Sequence, residues 1–219
     1  FTTSGTHTVS ITSMTTTSCA PTPYSGTATI TISPGAGLPV GHWAGNTPCG
    51  GAGSDWFNPC NWGGGIIPTA NTNVVIDQSE SVCNPVIDPT TAYANAAGNI
   101  ALARNITLMG TTRNLSLSNS GVLQVSGNWD NQVGPAGFTA NTGTVSFVGS
   151  IAQSIKTTAG NTETFYNLVI NNSSGVSNGV SLLSDVRVNH TLTLNNGVVN
   201  TKSVPASGSP NSLGLLTLG

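Results

Sequence analysis

Residues 105–125 read NITLMGTTRNLSLSNSGVLQV, and this stretch carries the clearest secondary-structure signal in the chain. It holds three short runs in which apolar and polar side chains alternate, and each run is bounded by Asn, Gly or Ser. Alternation over so few residues predicts β-strands, and no window carries the apolar stripe of an amphipathic helix. Similar runs continue from residue 73 to the end of the chain. The sequence therefore predicts an all-β protein with almost no helix.

Two architectures contain many short strands: an antiparallel sandwich and a parallel β-helix. The run Asn105-Ile106-Thr107-Leu108 recurs as Asn167-Leu168-Val169-Ile170, which is what stacked coils of ~20 residues would produce. Dipeptides typical of tight hairpins are few, with Asn178-Gly179 and Asn196-Gly197 as the main examples. The pattern favours the parallel β-helix and leaves the sandwich as the alternative.

The chain divides into three predicted parts. Residues 1–34 predict two alternating strands, and because two strands alone are marginally stable, we expect them to end a β-sandwich repeat. Residues 35–72 are expected to form a linker and a Trp-rich cap loop. Residues 73–219 are expected to form the parallel β-helix. Both chain ends look internal to a longer polypeptide, so we expect the β-helix to be truncated at its C-terminal end.

Composition narrows the partners and the compartment. Only 5% of residues are charged, against about 25% in an average soluble domain. The 5 Lys and Arg residues are scattered, which argues against nucleic acid as a partner and against a polybasic membrane patch. No apolar run approaches the ~18 residues of a transmembrane helix, so we expect no membrane insertion. Abundant Thr, Ser, Asn and Gly is typical of an extracellular β protein.

The 4 cysteines predict disulfides. No CxxC spacing occurs, which argues against a thiolate metal site. Three pairings are open, and we favour Cys49–Cys60 because both lie in one loop rich in Gly and Pro. Closing a loop of that size stabilises by roughly 3 kcal/mol in the chain-entropy model. The remaining Cys19 and Cys83 would then pair with each other, or Cys19 with a residue upstream.

The tryptophans have two interpretations. Trp43, Trp56 and Trp62 lie among Gly, Pro and Asn residues with no regular period, which favours indoles that cover the end of a core. The rival interpretation is a sugar-stacking surface, for which the candidates are Trp56, Trp62 and Trp129.

The sequence contains no recognisable catalytic constellation. The 7 acidic residues are isolated from one another, whereas glycoside hydrolysis needs two carboxylates on either side of a sugar. The spacing of Asp55, Asn58 and Asn61 could offer oxygens to calcium, but Asp and Asn commonly build turns, and we prefer that interpretation. We therefore predict no catalytic residues, no cofactor and no metal.

The stretch from Trp43 onward resembles a domain of very large surface adhesins that gliding and biofilm-forming bacteria export through the type IX secretion system. The matching segments are Ser54-Asp55-Trp56-Phe57-Asn58-Pro59, Asn61-Trp62, Pro68-Thr69-Ala70-Asn71, Asn73-Val74-Val75-Ile76, Gly127-Asn128-Trp129, residues 143–149, residues 153–155, residues 164–170 and residues 192–201. Residues 1–34 resemble the last strands of an immunoglobulin-like or PKD-like repeat.

The resemblance implies a right-handed parallel β-helix on the bacterial cell surface, with an adhesive role and no catalytic motif. The implied partners are other parts of the same giant protein and, outside the cell, a surface polysaccharide or a host or substratum surface. We therefore expect a secreted structural or adhesive segment. The alternatives are a carbohydrate-binding module and a polysaccharide-cleaving β-helix enzyme.

Overall fold

The structure is a computed structural model that describes residues 5–11, 26–32, 37–45, 53–81, 83–97, 99–175, 179–201 and 214–219. For residues 5–11, 26–32 and 95–97 only the backbone is described. Cys19 and Cys49 lie outside these ranges. Among the described residues, no helix has the length and apolar character needed to cross a membrane.

The first two strands form an antiparallel hairpin. Strand β1 (Gly5–Ile11) pairs with β2 (Gly26–Ile32), so that Gly5 lies opposite Ile32 and Ile11 opposite Gly26. The two predicted strands are thus present. The sandwich to which they would belong stays a prediction, since this sheet holds only these two strands in the described part of the chain.

The rest of the described chain is built from short strands. In chain order they are β3 (Val74–Asp77), β4 (Val86–Ile87), β5 (Ile100–Ala103), β6 (Ile106–Met109), β7 (Leu115–Leu117), β8 (Val122–Val125), β9 (Trp129–Asn131), β10 (Phe138–Thr139), β11 (Thr144–Phe147), β12 (Gln153–Thr157), β13 (Thr162–Asn171), β14 (Val180–Leu182), β15 (Asp185–Asn196), β16 (Val199–Asn200) and β17 (Leu216–Leu218). One short helix, α1 (Ala92–Ala97), connects β4 to β5, and 3₁₀ turns lie at Pro59–Asn61, Gly63–Gly65 and Pro135–Gly137.

These strands stack into parallel sheets that wind as a solenoid. The first sheet has the order β3-β6-β9-β12-β14-β16, the second β4-β7-β10, and the third β5-β8-β11-β13-β15-β17. Every pairing within them is parallel, so the parallel β-helix is confirmed and the sandwich is wrong for this region. In later coils the second and third strands merge into the long strands β13 and β15, and the register shifts between Phe165 and Asn167.

Along the third sheet the coil length agrees with the predicted repeat, but the predicted equivalence of two runs is wrong. Along the third sheet, residue 100 pairs with 122, 122 with 144, and 144 with 167. The predicted repeat equated Asn105 with Asn167. Asn105 instead precedes a strand of the first sheet, whereas Asn167 lies within β13 of the third sheet.

A ladder of asparagines joins successive coils at the corner before the first sheet. The Asn105 amide donates to Asn73 Oδ1 at 2.8 Å, and Asn105 Oδ1 accepts the backbone N–H of Asn128 at 2.7 Å. Asn128 Oδ1 in turn accepts the N–H of Ser154 at 2.9 Å. The ladder satisfies backbone groups that a turn leaves without a strand partner, which explains why Asn recurs at this corner.

The inward side chains fill the solenoid. In β7 the pattern is buried, half-buried, buried, so Leu115 and Leu117 point inward. Further along the axis, the Trp129 ring meets Phe138 edge-on at 4.8 Å and Phe165 at 5.5 Å between centroids. Edge-to-face contacts of this kind are the favoured aromatic geometry. The core is thus a continuous apolar column from coil to coil.

A cap closes the N-terminal end of this column. The backbone N–H of Trp43 donates to Val75 O at 2.9 Å, and the backbone N–H of Trp56 donates to Val86 O at 3.0 Å. The cap backbone therefore pairs with the free edges of β3 and β4. Trp62 lies between the two other indoles, 4.9 Å from Trp43 and 4.6 Å from Trp56. Covering sheet edges in this way prevents pairing with other chains.

Candidate functional site

The three candidate sugar-stacking tryptophans offer no surface. Trp56, Trp62 and Trp129 are each 0% exposed. The first two lie in the cap, where the Trp62 indole N–H donates to Trp56 O at 2.6 Å, and Trp129 lies in the solenoid core. The sugar-stacking interpretation of these residues is therefore wrong for this fold, because a sugar cannot reach the face of a fully buried ring.

The favoured disulfide is not seen in this structure. Cys60 is an exposed free cysteine on the 3₁₀ turn Pro59–Asn61, and Cys49 lies outside the described residues. Cys83 is buried and disulfide-bonded, and its partner lies outside the described residues. The Cys83 carbonyl accepts the Trp43 indole N–H at 2.7 Å and the Arg113 guanidinium at 2.9 Å. These bonds fix Cys83 in the cap, while the Cys60 side chain points outward.

The residues considered for calcium build turns. Asp55 Oδ1 accepts the N–H of Phe57 at 2.9 Å, and Asn58 Oδ1 accepts the N–H of Cys60 at 3.0 Å. The Asn61 amide donates to the carbonyl of Asp55 at 2.9 Å. Within the described residues no group of three or more His, Cys, Asp or Glu side chains could hold a metal ion.

One carboxyl group lies inside the solenoid, which sequence reasoning missed. Glu163 is 3% exposed and accepts the Asn131 amide at 2.9 Å. Burial raises the pKa of Glu163 to about 7, against the lowering effect of hydrogen bonds from Asn131 and its neighbours. The Trp129 indole N–H and the Thr157 hydroxyl face the same carboxyl without completing a hydrogen bond. Glu163 is thus protonated or ionised according to pH near neutrality.

A small cleft of about 220 Å³ lies against the neighbouring strands β9 and β12. At its wall Lys156 Nζ lies 3.7 Å from Asp130 Oδ1, and the Gln132 amide donates to Asp130 Oδ2 at 2.8 Å. Asp130 and Asn131 are adjacent in β9, and only Asn131 points inward toward Glu163. Asp130 and Glu163 therefore lie on opposite sides of the first sheet and do not face a common substrate.

The third sheet presents a surface of a different character, which we call the uncharged face. It consists of two residues from each of five successive strands, at the positions that alternate with the core-facing side chains where these strands pair: Ile100, Leu102, Val122, Gln124, Thr144, Ser146, Asn167, Val169, Thr191 and Thr193. Ser146 is the buried member of this set. The pairing register aligns them in two columns across the strands. None of the ten carries a charge. Charges do occur at outward positions elsewhere, such as Asp130 and Lys156 on the first sheet and Asp185 and Arg187 in the first part of β15.

A stacked aromatic pair, in which His190 is exposed and Tyr166 partly exposed, lies beside the uncharged face. Tyr166 and His190 stack with their ring centroids 4.7 Å apart and their planes 5° from parallel. His190 Nδ1 lies 2.9 Å from Asn167 Oδ1 and 2.8 Å from Thr191 Oγ1, so the pair is tied to two residues of the face. The rings and the face therefore form one surface, which is the candidate functional site.

No sequence motif marks this surface, because its residues recur about one coil apart. A run such as Gly121-Val122-Leu123-Gln124-Val125 predicts that Val122 and Gln124 share one side of a strand. It does not give the neighbours of that strand. The signal is a charge-free column, which becomes visible only once the register is known.

Comparison with protein-family models, with curated proteins and with solved structures found no match for this chain. The resemblance to type IX surface adhesins therefore remains a prediction that rests on the motifs in the sequence.

Proposed function

We propose that the chain is a structural and adhesive segment of a large secreted protein of the bacterial cell surface, and that it performs no catalysis. The observation that carries this proposal is the uncharged face, a continuous surface over five strands on a stiff scaffold. Weak contacts repeated along such a face add up when many copies are displayed together.

The scaffold suits a load-bearing role. Each coil is held to the next by backbone ladders, by the Asn73–Asn105–Asn128 ladder and by a continuous core. Stability of a stacked solenoid comes from contacts between neighbouring coils, so its length can grow without a new core. A rod of this kind can hold a binding surface away from the cell.

Adhesion is tested with beads that carry the purified chain at high density. We expect these beads to resist detachment by flow better than albumin-coated beads on at least one of three surfaces: glass, immobilised matrix protein and immobilised polysaccharide. Val169→Lys places a charge within the uncharged face and should lower retention. Thr107→Lys adds the same charge to the outward side of the first sheet and serves as the control. Equal retention of chain-coated and albumin-coated beads on all three surfaces would refute the adhesive role.

The absence of catalysis is tested separately. Glu163 is buried and Asp130 lies on the opposite side of its sheet, so neither carboxyl has a partner across an open cleft. We expect no release of reducing ends or unsaturated products from a panel of polysaccharides. Product release that Asp130→Asn abolishes would support the polysaccharide-cleaving alternative instead.

A further inference from the structure

We propose that the uncharged face binds neutral polysaccharide, with Tyr166 and His190 as its aromatic contact. This inference rests on the proposed adhesive function and names the class of ligand for the same surface.

The lack of charge selects the ligand class. In a uronate or sulfated glycan, many of the sugars each carry a negative charge. Binding such a glycan requires cationic side chains to replace the hydration that these charges lose. The ten residues of the uncharged face supply none. A neutral glycan loses no ionic hydration there, so it is the polymer that this surface can bind without a penalty.

The mixture of side chains suits a sugar chain better than a protein or lipid surface. In one column Ile100 and Val122 are followed by Thr144, Asn167 and Thr191. A pyranose presents C–H groups on its faces and hydroxyls around its edge, so it can pack on the apolar members and hydrogen-bond with the hydroxyl and amide members. Protein interfaces, in contrast, depend on buried aromatic and Arg anchors.

The aromatic pair can contact a sugar ring. His190 is exposed, Tyr166 is partly exposed, and the two rings stack with their centroids 4.7 Å apart. His190 Nδ1 lies within hydrogen-bond distance of Asn167 and Thr191, which belong to the uncharged face. An aromatic ring next to amide and hydroxyl groups offers a contact for the C–H face of a sugar.

Two successive strands are about 4.8 Å apart, so a glycan that crosses the strands meets similar side chains at regular intervals. Each contact is weak, and affinity grows with the number of sugars bound at once. We therefore expect insoluble or long-chain glycans to bind much more tightly than short oligosaccharides.

The experiment is a depletion assay with the full 219-residue chain. The neutral probes are microcrystalline cellulose, chitin and an insoluble α-glucan, and the charged probes are alginate and polygalacturonate beads. We expect binding to at least one neutral probe, with less than a twofold change between 50 mM and 500 mM NaCl, because salt screens charges and not apolar or neutral hydrogen-bonding contacts.

Variants locate the binding surface. Val169→Lys should weaken binding at least tenfold and Tyr166→Ala several-fold, whereas Thr107→Lys on the first sheet should leave it unchanged. Circular dichroism and urea midpoints of each variant confirm that it is folded. Loss of binding in Val169→Lys with an unchanged urea midpoint supports the proposal.

Three outcomes would overturn it: no binding to any neutral probe, binding to the charged probes alone, or equal binding by Val169→Lys and the unmodified chain. The bead assay separates this failure from that of the proposed function. If the beads adhere through the uncharged face to glass or protein while no glycan binds, the polysaccharide assignment fails and the adhesive role stands.

Discussion

The buried carboxyl of Glu163 should make the solenoid less stable as the pH rises toward neutrality. Burial raises its folded-state pKa from 4.5 to about 7. Below the lower value the group is protonated in both folded and unfolded chains and has no effect on stability. Between the two values the folded chain keeps a proton that the unfolded chain has lost, so stability falls with rising pH. Above the folded pKa the loss is complete.

The size of the effect follows from the shift. Each pKa unit corresponds to about 1.4 kcal/mol, so the total loss between acid and neutral pH is on the order of 3 kcal/mol. Glu163→Gln removes the ionisable group and keeps an oxygen that can accept the Asn131 amide. The variant should therefore gain about 3 kcal/mol relative to the unmodified chain on going from pH 4 to pH 8.

The assay is urea unfolding at 25 °C, followed by tryptophan fluorescence at pH 4, 5, 6, 7 and 8. The measured quantity is the difference in unfolding free energy between variant and unmodified chain at each pH, because other titrating groups cancel in it. Asp185→Asn removes an exposed carboxyl at the start of β15 and is the matched control. A difference that stays constant from pH 4 to pH 8, or that shrinks, would refute the buried-carboxyl assignment.

Three further predictions concern the cap, the ladder and the thiols. Trp62→Phe should destabilise by about 1 kcal/mol more than Trp56→Phe, because the Trp62 indole N–H has an acceptor and that of Trp56 has none; equal urea midpoints would contradict this. Asn105→Ala should lower the unfolding free energy by about 1–3 kcal/mol through the loss of its ladder bonds, whereas Asn195→Ala, an exposed change, should stay within about 0.5 kcal/mol. Cys60 should be fully alkylated without prior reduction, and mass spectrometry that finds it in a disulfide would refute its assignment as a free thiol.

The fold could be predicted from the sequence because its signal is local. Alternation within runs such as Leu115-Ser116-Leu117 specifies a strand and the side chains that point inward, and frequent Asn and Gly specify short connections. The polar strands β9 and β12 were harder to predict. Trp129-Asp130-Asn131 has little strand propensity of its own, and it is extended because the strands on either side supply its hydrogen bonds.

The candidate site, in contrast, depended on the tertiary structure. The sequence alone predicted the all-β class and the Trp-rich segment, and it favoured stacked coils over a sandwich. It did not determine which residues share a column, because coil length varies: residue 74 pairs with 106, whereas 122 pairs with 144. An insertion such as the helix α1 shifts the numbering of every later partner without disturbing the local pattern. The uncharged face and the burial of Glu163 therefore follow from stacking register, which neighbouring residues in the chain do not encode.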